Sequence, residues 1–153
     1  MSNQAIVRHL GFTLVELLFS IVIAALLVGI GLPSYQGAVT RAKNNRAIKD
    51  ISELQVSIQR YYTISATLPN SLADIRAVPL DPWDNPYQYL NIQNSRNRGQ
   101  VRKDHSLVPL NNDYDLYSSG EDGRSSPPLT ARMSHDDIVR ANNGGFIGLA
   151  SDY

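Results

Sequence analysis

"RHLGFTLVELLFSIVIAALLVGIGLPSY", Arg8 to Tyr35, is the stretch whose reading decides the fold. From Leu17 to Thr40 the chain has no Asp, Glu, Lys or Arg. About 20 apolar residues at ~1.5 Å rise each cross a bilayer, so the length fits a membrane span. On composition alone it also fits a signal peptide. A signal peptide, however, ends at a small-residue cleavage site before a polar mature start. Here the run passes into a pattern of helical period. Arg8 and His9 precede it, and Arg41, Lys43 and Arg46 follow it, so the flanking charges give no clear orientation.

Glu16 is the residue that a simple span does not explain. A carboxylate at membrane depth costs about 3 kcal/mol on insertion scales and calls for a cationic partner. A cut after Gly11 would make Phe12 the N-terminus, with its ammonium one helical turn from Glu16 at i and i+4. The ammonium of a staggered identical helix lies equally close. Each subunit then supplies one cation and one anion in a low-dielectric setting, where pairing is strong and mispairing costly. Repetition of that contact without ring closure builds a helical filament. Glu16 therefore reads as a register device.

The pattern beyond it predicts a long helix. In "VGIGLP" (28–33) Pro33 offers no N–H to the carbonyl of Gly29, which predicts a kink or loosened turn. Val39, Ala42, Ala47, Ile51, Leu54, Ile58 and Tyr61 then recur mostly at three- and four-residue steps, an apolar stripe for a globular head. Arg46, Lys49, Asp50, Glu53 and Gln59 form the solvated face. Residues 12 to 63 or so read as one helix of roughly 75 Å. "SATLPNSL" (65–72) ends it, with Pro69 as the stop and Asn70 or Ser71 capping a short following turn. "YQYLN" (87–91) and "DYDLYS" (113–118) alternate as short strands, whereas "NSRNRGQVRKDH" (94–105) is polar and basic, a surface loop or hairpin connection.

The expected fold class is α+β: a long N-terminal helix packed on a small C-terminal antiparallel β-sheet head. With 153 residues and a formal net charge of zero, one small domain plus an anchor fits the chain. Neutral balance argues against nucleic acid as the main partner. The chain has no Cys, so neither disulfides nor thiolate metal sites are available. A head of about 90 residues with few strands has a thin core and needs some other staple.

"GFTLVE", Gly11 to Glu16, with the apolar run after it, resembles the class III leader of type IV pilins and pseudopilins. The resemblance implies a leader 1–11 that prepilin peptidase removes after Gly11, and N-methylation of Phe12. Segment 12–35 would be a transmembrane and filament-core helix in which Glu16 and Pro33 serve assembly. Segment 36–153 would be a periplasmic pilin-like domain, with an amphipathic helix at 36–63 and the head at 64–153.

Two later motifs narrow the resemblance. "DPWDNPY" (81–87) is a turn stiffened by Pro82 and Pro86, with Trp83 as a buried anchor. "DLYSSGEDG" (115–123) is followed by "HDDI" (135–138). Together they resemble the C-terminal half of the G-type major pseudopilins of type II secretion, whose turn reads Asp-Pro-Trp-Gly and whose late loop binds calcium. The resemblance implies Ca²⁺ held by Asp122, Asp136 and Asp137, with backbone carbonyls of Ser119, Arg124 and Ser134. Taken without it, the same residues fit a polar turn with solvated carboxylates at least as well, since the EF-hand spacing is absent. This chain departs from the family pattern in three places. Asp84 stands where the family has Gly, and Asp tolerates a left-handed backbone. "RSSPPLTARMS" (124–134) lengthens the loop between the expected ligands. The tail "VRANNGGFIGLASDY" (139–153) has no role in the motif.

The function implied is a structural subunit of a helical type II secretion pseudopilus that promotes protein export. Its partners would be copies of itself, prepilin peptidase, minor pseudopilins and an inner-membrane assembly platform. It would be a single-pass inner-membrane protein with a periplasmic head. The rivals are a type IV pilin for adhesion, motility or DNA uptake, and a binding domain on a membrane anchor. An enzyme is not expected: His105 and His135 are the head's only histidines, and Ser134, His135 and Asp136 are sequence neighbours with no nucleophile elbow.

Overall fold

The computed structural model describes residues 11–75, 77–94, 100–104 and 108–153, apart from the side chains of Gly31 and Pro33. Most of the leader, with Arg8 and His9, lies outside the described residues, as do His105 and residues 95–99 of the polar stretch. The chain divides into two compact units, one ending at Val39 and one running from Thr40 to Tyr153.

One helix, α1, spans Leu14–Ser65. At its start the Thr13 hydroxyl accepts the N–H of Glu16 at 3.2 Å, an N-cap that satisfies one free donor of the first turn. The helical assignment passes through position 33, whose side chain is outside the described residues, so the expected role of Pro33 has no structural description. The helix ends earlier than Pro69. Ala66 takes a left-handed φ of 55° and donates its N–H to the Tyr62 carbonyl at 2.8 Å, a C-terminal cap made without glycine. Ser71 precedes the 3-10 turn Leu72–Asp74 as expected, and the Asp74 carboxylate closes that turn by accepting the N–H groups of Asn70 and Ser71.

The second unit is α+β. Its main sheet comprises β1 (Gln88–Asn91), β4 (Tyr114–Ser118), β5 (Ile138–Ala141) and β6 (Phe146–Leu149), in that spatial order and antiparallel throughout. Two short strands, β2 (Lys103–Asp104) and β3 (Val108–Pro109), pair separately. β1 and β4 are the two strands the alternation predicted, in register with Leu90 opposite Asp115. β5 and β6 come from the segment after Asp137 that the sequence left without a role. β5 is buried along its whole length.

That burial has two sides. Ala47, Ile51, Leu54 and Ile58 of α1 pack on Tyr87, Tyr114, Leu116 and Ile138, with Leu72 closing the end. On the other face Val139 and Ala141 join Leu110, Leu129 and Ala150, flanked by Tyr117 and Phe146. The side-chain period of two sends alternate residues of β5 into separate clusters. The apolar stripe of α1 is narrower than its sequence pattern: Val39 and Ala42 are exposed, and only the 47–58 portion is fully buried. On the expected solvated face, Asp50 is half-buried and accepts the Tyr87 hydroxyl at 2.8 Å.

The turn at Asp81 locks onto the loop after β4. The Asp81 carboxylate accepts the N–H groups of Trp83 (3.0 Å) and Asn85 (2.8 Å) and the Ser118 hydroxyl. The amide of Asn85 donates to the Gly120 carbonyl at 3.2 Å. Asp84 has φ 67°, the left-handed conformation its side chain tolerates. Trp83 is half-buried against the main cluster rather than fully enclosed, with the Lys43 ammonium 5.8 Å from its ring centre. Gly120 has φ 64°, and a Cβ there would stand 2.3 Å from the Asp136 carbonyl oxygen.

Two stability predictions follow from this packing. Ile138→Ala is expected to cost about 2–4 kcal/mol in chemical denaturation of the full chain in detergent, whereas Val108→Ala on exposed β3 costs under ~0.5 kcal/mol. Gly120→Ala is expected to cost about 2 kcal/mol or more, since the new methyl meets backbone in a left-handed turn. A thermal midpoint unchanged by Gly120→Ala would refute that account of the turn.

Candidate functional site

Two regions carry the residues singled out by the sequence. The first is the N-terminal end of α1. Fourteen large apolar side chains between Phe12 and Leu32 are each at least half exposed. The helix is long and apolar enough to cross a membrane. Each Val, Leu, Ile or Phe taken out of water stabilises by roughly 1.5–3 kcal/mol, so the segment carries tens of kcal/mol of drive toward an apolar surrounding. Glu16 is the acidic group of the first turn and is exposed among these side chains. Nothing crowds Gly11: a Cβ there would meet no atom within 4 Å. Phe12 is 80% exposed, four residues ahead of Glu16. A chain cut at Gly11 would place its terminal ammonium one turn from that carboxylate, beside a surface that has to find an apolar cover.

The second region is the loop between β4 and β5, where Asp122, Asp136 and Asp137 were expected to gather around Ca²⁺. They are placed differently. Asp122 is exposed; its carboxylate accepts the N–H of Arg124 at 2.7 Å, and its own N–H donates to the Asp136 carboxylate at 3.0 Å. Asp137 is fully buried and turned to other partners: Oδ2 accepts Nη2 of Arg102 and the Ser125 hydroxyl, each at 2.6 Å. The Ser134 carbonyl accepts the N–H of Asp137 at 3.3 Å, while its hydroxyl bridges to the backbone N–H and carbonyl of Ser126. Ser119 is buried and Arg124 exposed. Among the described residues no three His, Asp or Glu side chains are grouped to hold a metal ion.

Ca²⁺ takes six to eight oxygens, its carboxylate ligands ionised. Burial pushes the Asp137 carboxyl up to about 6, against the pull of Arg102 and Ser125. Burial also raises the Asp115 carboxyl, which accepts the backbone N–H of Arg102 at 2.7 Å. The arrangement around Asp137 therefore does not fit a calcium site: its carboxylate already faces a buried guanidinium. Asp122 and Asp136 are linked to each other through a backbone N–H, without Asp137.

The sequence reading missed two buried cations among the described residues of the head. Arg102, in the polar stretch read as solvated loop, is 2% exposed. Arg140, in β5, is 3% exposed. It forks onto Asp113 at 2.9 and 2.7 Å, donates to Gln55 of α1 at 2.7 Å, and stacks 4.0 Å over the Tyr114 ring. No local pattern marks either one, because their partners lie 13 to 85 residues away.

Residues 7–32 match the family described as "Prokaryotic N-terminal methylation motif". The chain is 30% identical over 140 residues to type II secretion system core protein G of Aeromonas hydrophila, covering 77% of this chain and 87% of the relative. It is 30% identical over 143 residues to the protein of the same name from Pectobacterium carotovorum subsp. carotovorum, covering 79% of this chain and 81% of that one. The Pseudomonas aeruginosa protein of that name is 25% identical over 136 residues, 74% of this chain and 84% of its own length. No solved structure matches significantly. A likeness of that extent, together with the N-terminal match, makes this chain a member of the family of type II secretion system core protein G, a G-type pseudopilin.

Proposed function

We propose that this chain is the repeating structural subunit of a type II secretion pseudopilus. The observation that carries the reading is the apolar surface from Phe12 to Leu32, with the single carboxylate of Glu16 set in it. Such a surface is stable in a bilayer or against copies of itself, and in neither place does a lone carboxylate stay unpaired without cost. Before assembly the helix is a single-pass anchor in the inner membrane with the head in the periplasm. Prepilin peptidase cuts after Gly11 and the new terminus at Phe12 is methylated, which leaves the amine able to carry charge. Within the filament the Phe12 ammonium of one subunit pairs with Glu16 of a neighbour and fixes the stagger. Minor pseudopilins and an inner-membrane assembly platform supply the starting end of the polymer. The protein acts by being added and packed, not by catalysis.

Processing is tested by intact mass and N-terminal sequencing of the protein extracted from membranes of cells with an active prepilin peptidase. The expected mature chain starts at methylated Phe12. A start beyond residue 30, or a retained Met1, refutes the proposal. Assembly is tested with Glu16→Gln, which keeps shape and removes charge. Cleavage is expected to continue at the wild-type level while sheared filament falls at least tenfold, the order of effect that loss of one ion pair worth more than ~1.4 kcal/mol produces at each added subunit. Wild-type filament yield from Glu16→Gln would remove Glu16 from its assigned role.

A further inference from the structure

The head carries a positive charge of its own at the loop where the family resemblance puts a metal. Arg102 is buried, and its guanidinium is surrounded by oxygen. Nη2 donates to Oδ2 of Asp137 at 2.6 Å, and Nη1 donates to the Ser126 carbonyl at 2.7 Å and to the Ser125 hydroxyl. The guanidinium carbon lies 4.4 Å from the centre of the Tyr117 ring. A carboxylate, a carbonyl and a hydroxyl gathered around one buried positive charge is the donor set a hard cation would collect, and here the cation is a side chain.

The contacts join separate parts of the chain. Asp115 and Tyr117 belong to β4, Ser125 and Ser126 to the long loop, and Asp137 to the approach to β5. The backbone continues the clamp: Lys103 donates its N–H to the Pro127 carbonyl at 2.7 Å, and Leu129 donates to the Lys103 carbonyl at 3.0 Å. The lengthened loop 124–134 thus closes over residues 102–103. Among the described residues, the buried polar side-chain atoms without a hydrogen-bond partner are Nε of Arg102 and Oδ1 of Asp137, both of this same pair. Nη2 to Oδ2 is thus the one direct bond between the two side chains, and the second bond of an Arg–carboxylate fork is not made. A divalent cation at Asp137 would meet a like charge in a low-dielectric interior.

We propose that the Arg102 guanidinium takes the structural place that the resemblance assigns to Ca²⁺, so that this head holds its β4–β5 loop without a bound metal. The long loop then follows as part of the device, since it supplies Ser125 and Ser126. The charge is built into the chain and cannot be stripped by a chelator.

The test uses the full chain in detergent. Thermal unfolding in EGTA and in millimolar Ca²⁺ is expected to give midpoints within about 1 °C of each other, and calorimetry no stoichiometric Ca²⁺ uptake. A midpoint several degrees higher in Ca²⁺, abolished by Asp122→Ala, overturns the proposal and restores the metal. Arg102→Met keeps the volume and removes the charge, which strands Asp137. It is expected to lower the midpoint by roughly 10 °C, and Arg102→Met with Asp137→Asn to recover a large part of that loss. Arg102→Met melting like the wild type overturns the proposal. So does a double variant no more stable than the sum of its single changes, because a residue that only fills space would show no coupling. Where Arg102→Met does not fold, the Ca²⁺ comparison on the wild-type chain and the folding of the double variant still decide.

Discussion

The apolar surface between Phe12 and Leu32 has to leave water, and the carboxylate of Glu16 has to leave with it. The first requirement alone is met by any bilayer. Both together are met well only where a cation sits at the same depth, and the proposed cut after Gly11 would supply one, the terminal ammonium at Phe12. This is the constraint on which the filament reading depends. On the proposed reading, a cut at Gly11 matters chemically as well as topologically: cleavage would create the partner that makes burial of Glu16 tolerable. It also explains why one helix, α1, serves both units, since its first part is written for an apolar surrounding and its part from Ala47 to Ile58 is written for the core of the head.

The head solves a different problem with similar means. It is small, it has no disulfide, and its main sheet has four strands among the described residues. β5 is the element that makes it cohere, because its two faces belong to two apolar clusters, one with α1 and one with the C-terminal segments. Two buried guanidinium groups then tie remote segments together. Arg140 links β5 to Asp113 and to Gln55 of α1, and Arg102 links the long loop to Asp137. Each is a buried charge with a carboxylate partner and further hydrogen bonds, the condition under which such burial is tolerable. Loss of one partner is then far more damaging than loss of a surface pair. Arg presents a planar fork that reaches several oxygens at once, which suits it to the role of a staple.

Much of this was legible in the residues. The helix, the stripe at 47–58 and the strands at 88–91 and 114–118 follow from periodicity, and the left-handed backbone at Asp84 follows from the turn chemistry around it. β5 and β6 did not, for a physical reason. A strand buried on both faces has no alternation to read, and Arg140 in its middle looks like solvent-facing charge until its partners are known. Arg102 was hidden in the same way, in a basic stretch whose composition is that of a loop. The Asp137 carboxylate was singled out as a calcium ligand on the resemblance, while its contact with Arg102 was not legible, because the cation folds in from 35 residues away.

The most direct measurement of the central claim is a cryo-electron microscopy map of the assembled filament at a resolution that shows side chains. The account predicts apolar residues 12–32 packed against neighbouring helices in the filament core, with each Glu16 carboxylate about 3 Å from the Phe12 nitrogen of an adjacent subunit. A map with Glu16 turned to solvent, or with the 12–32 segments on the filament exterior, would contradict it.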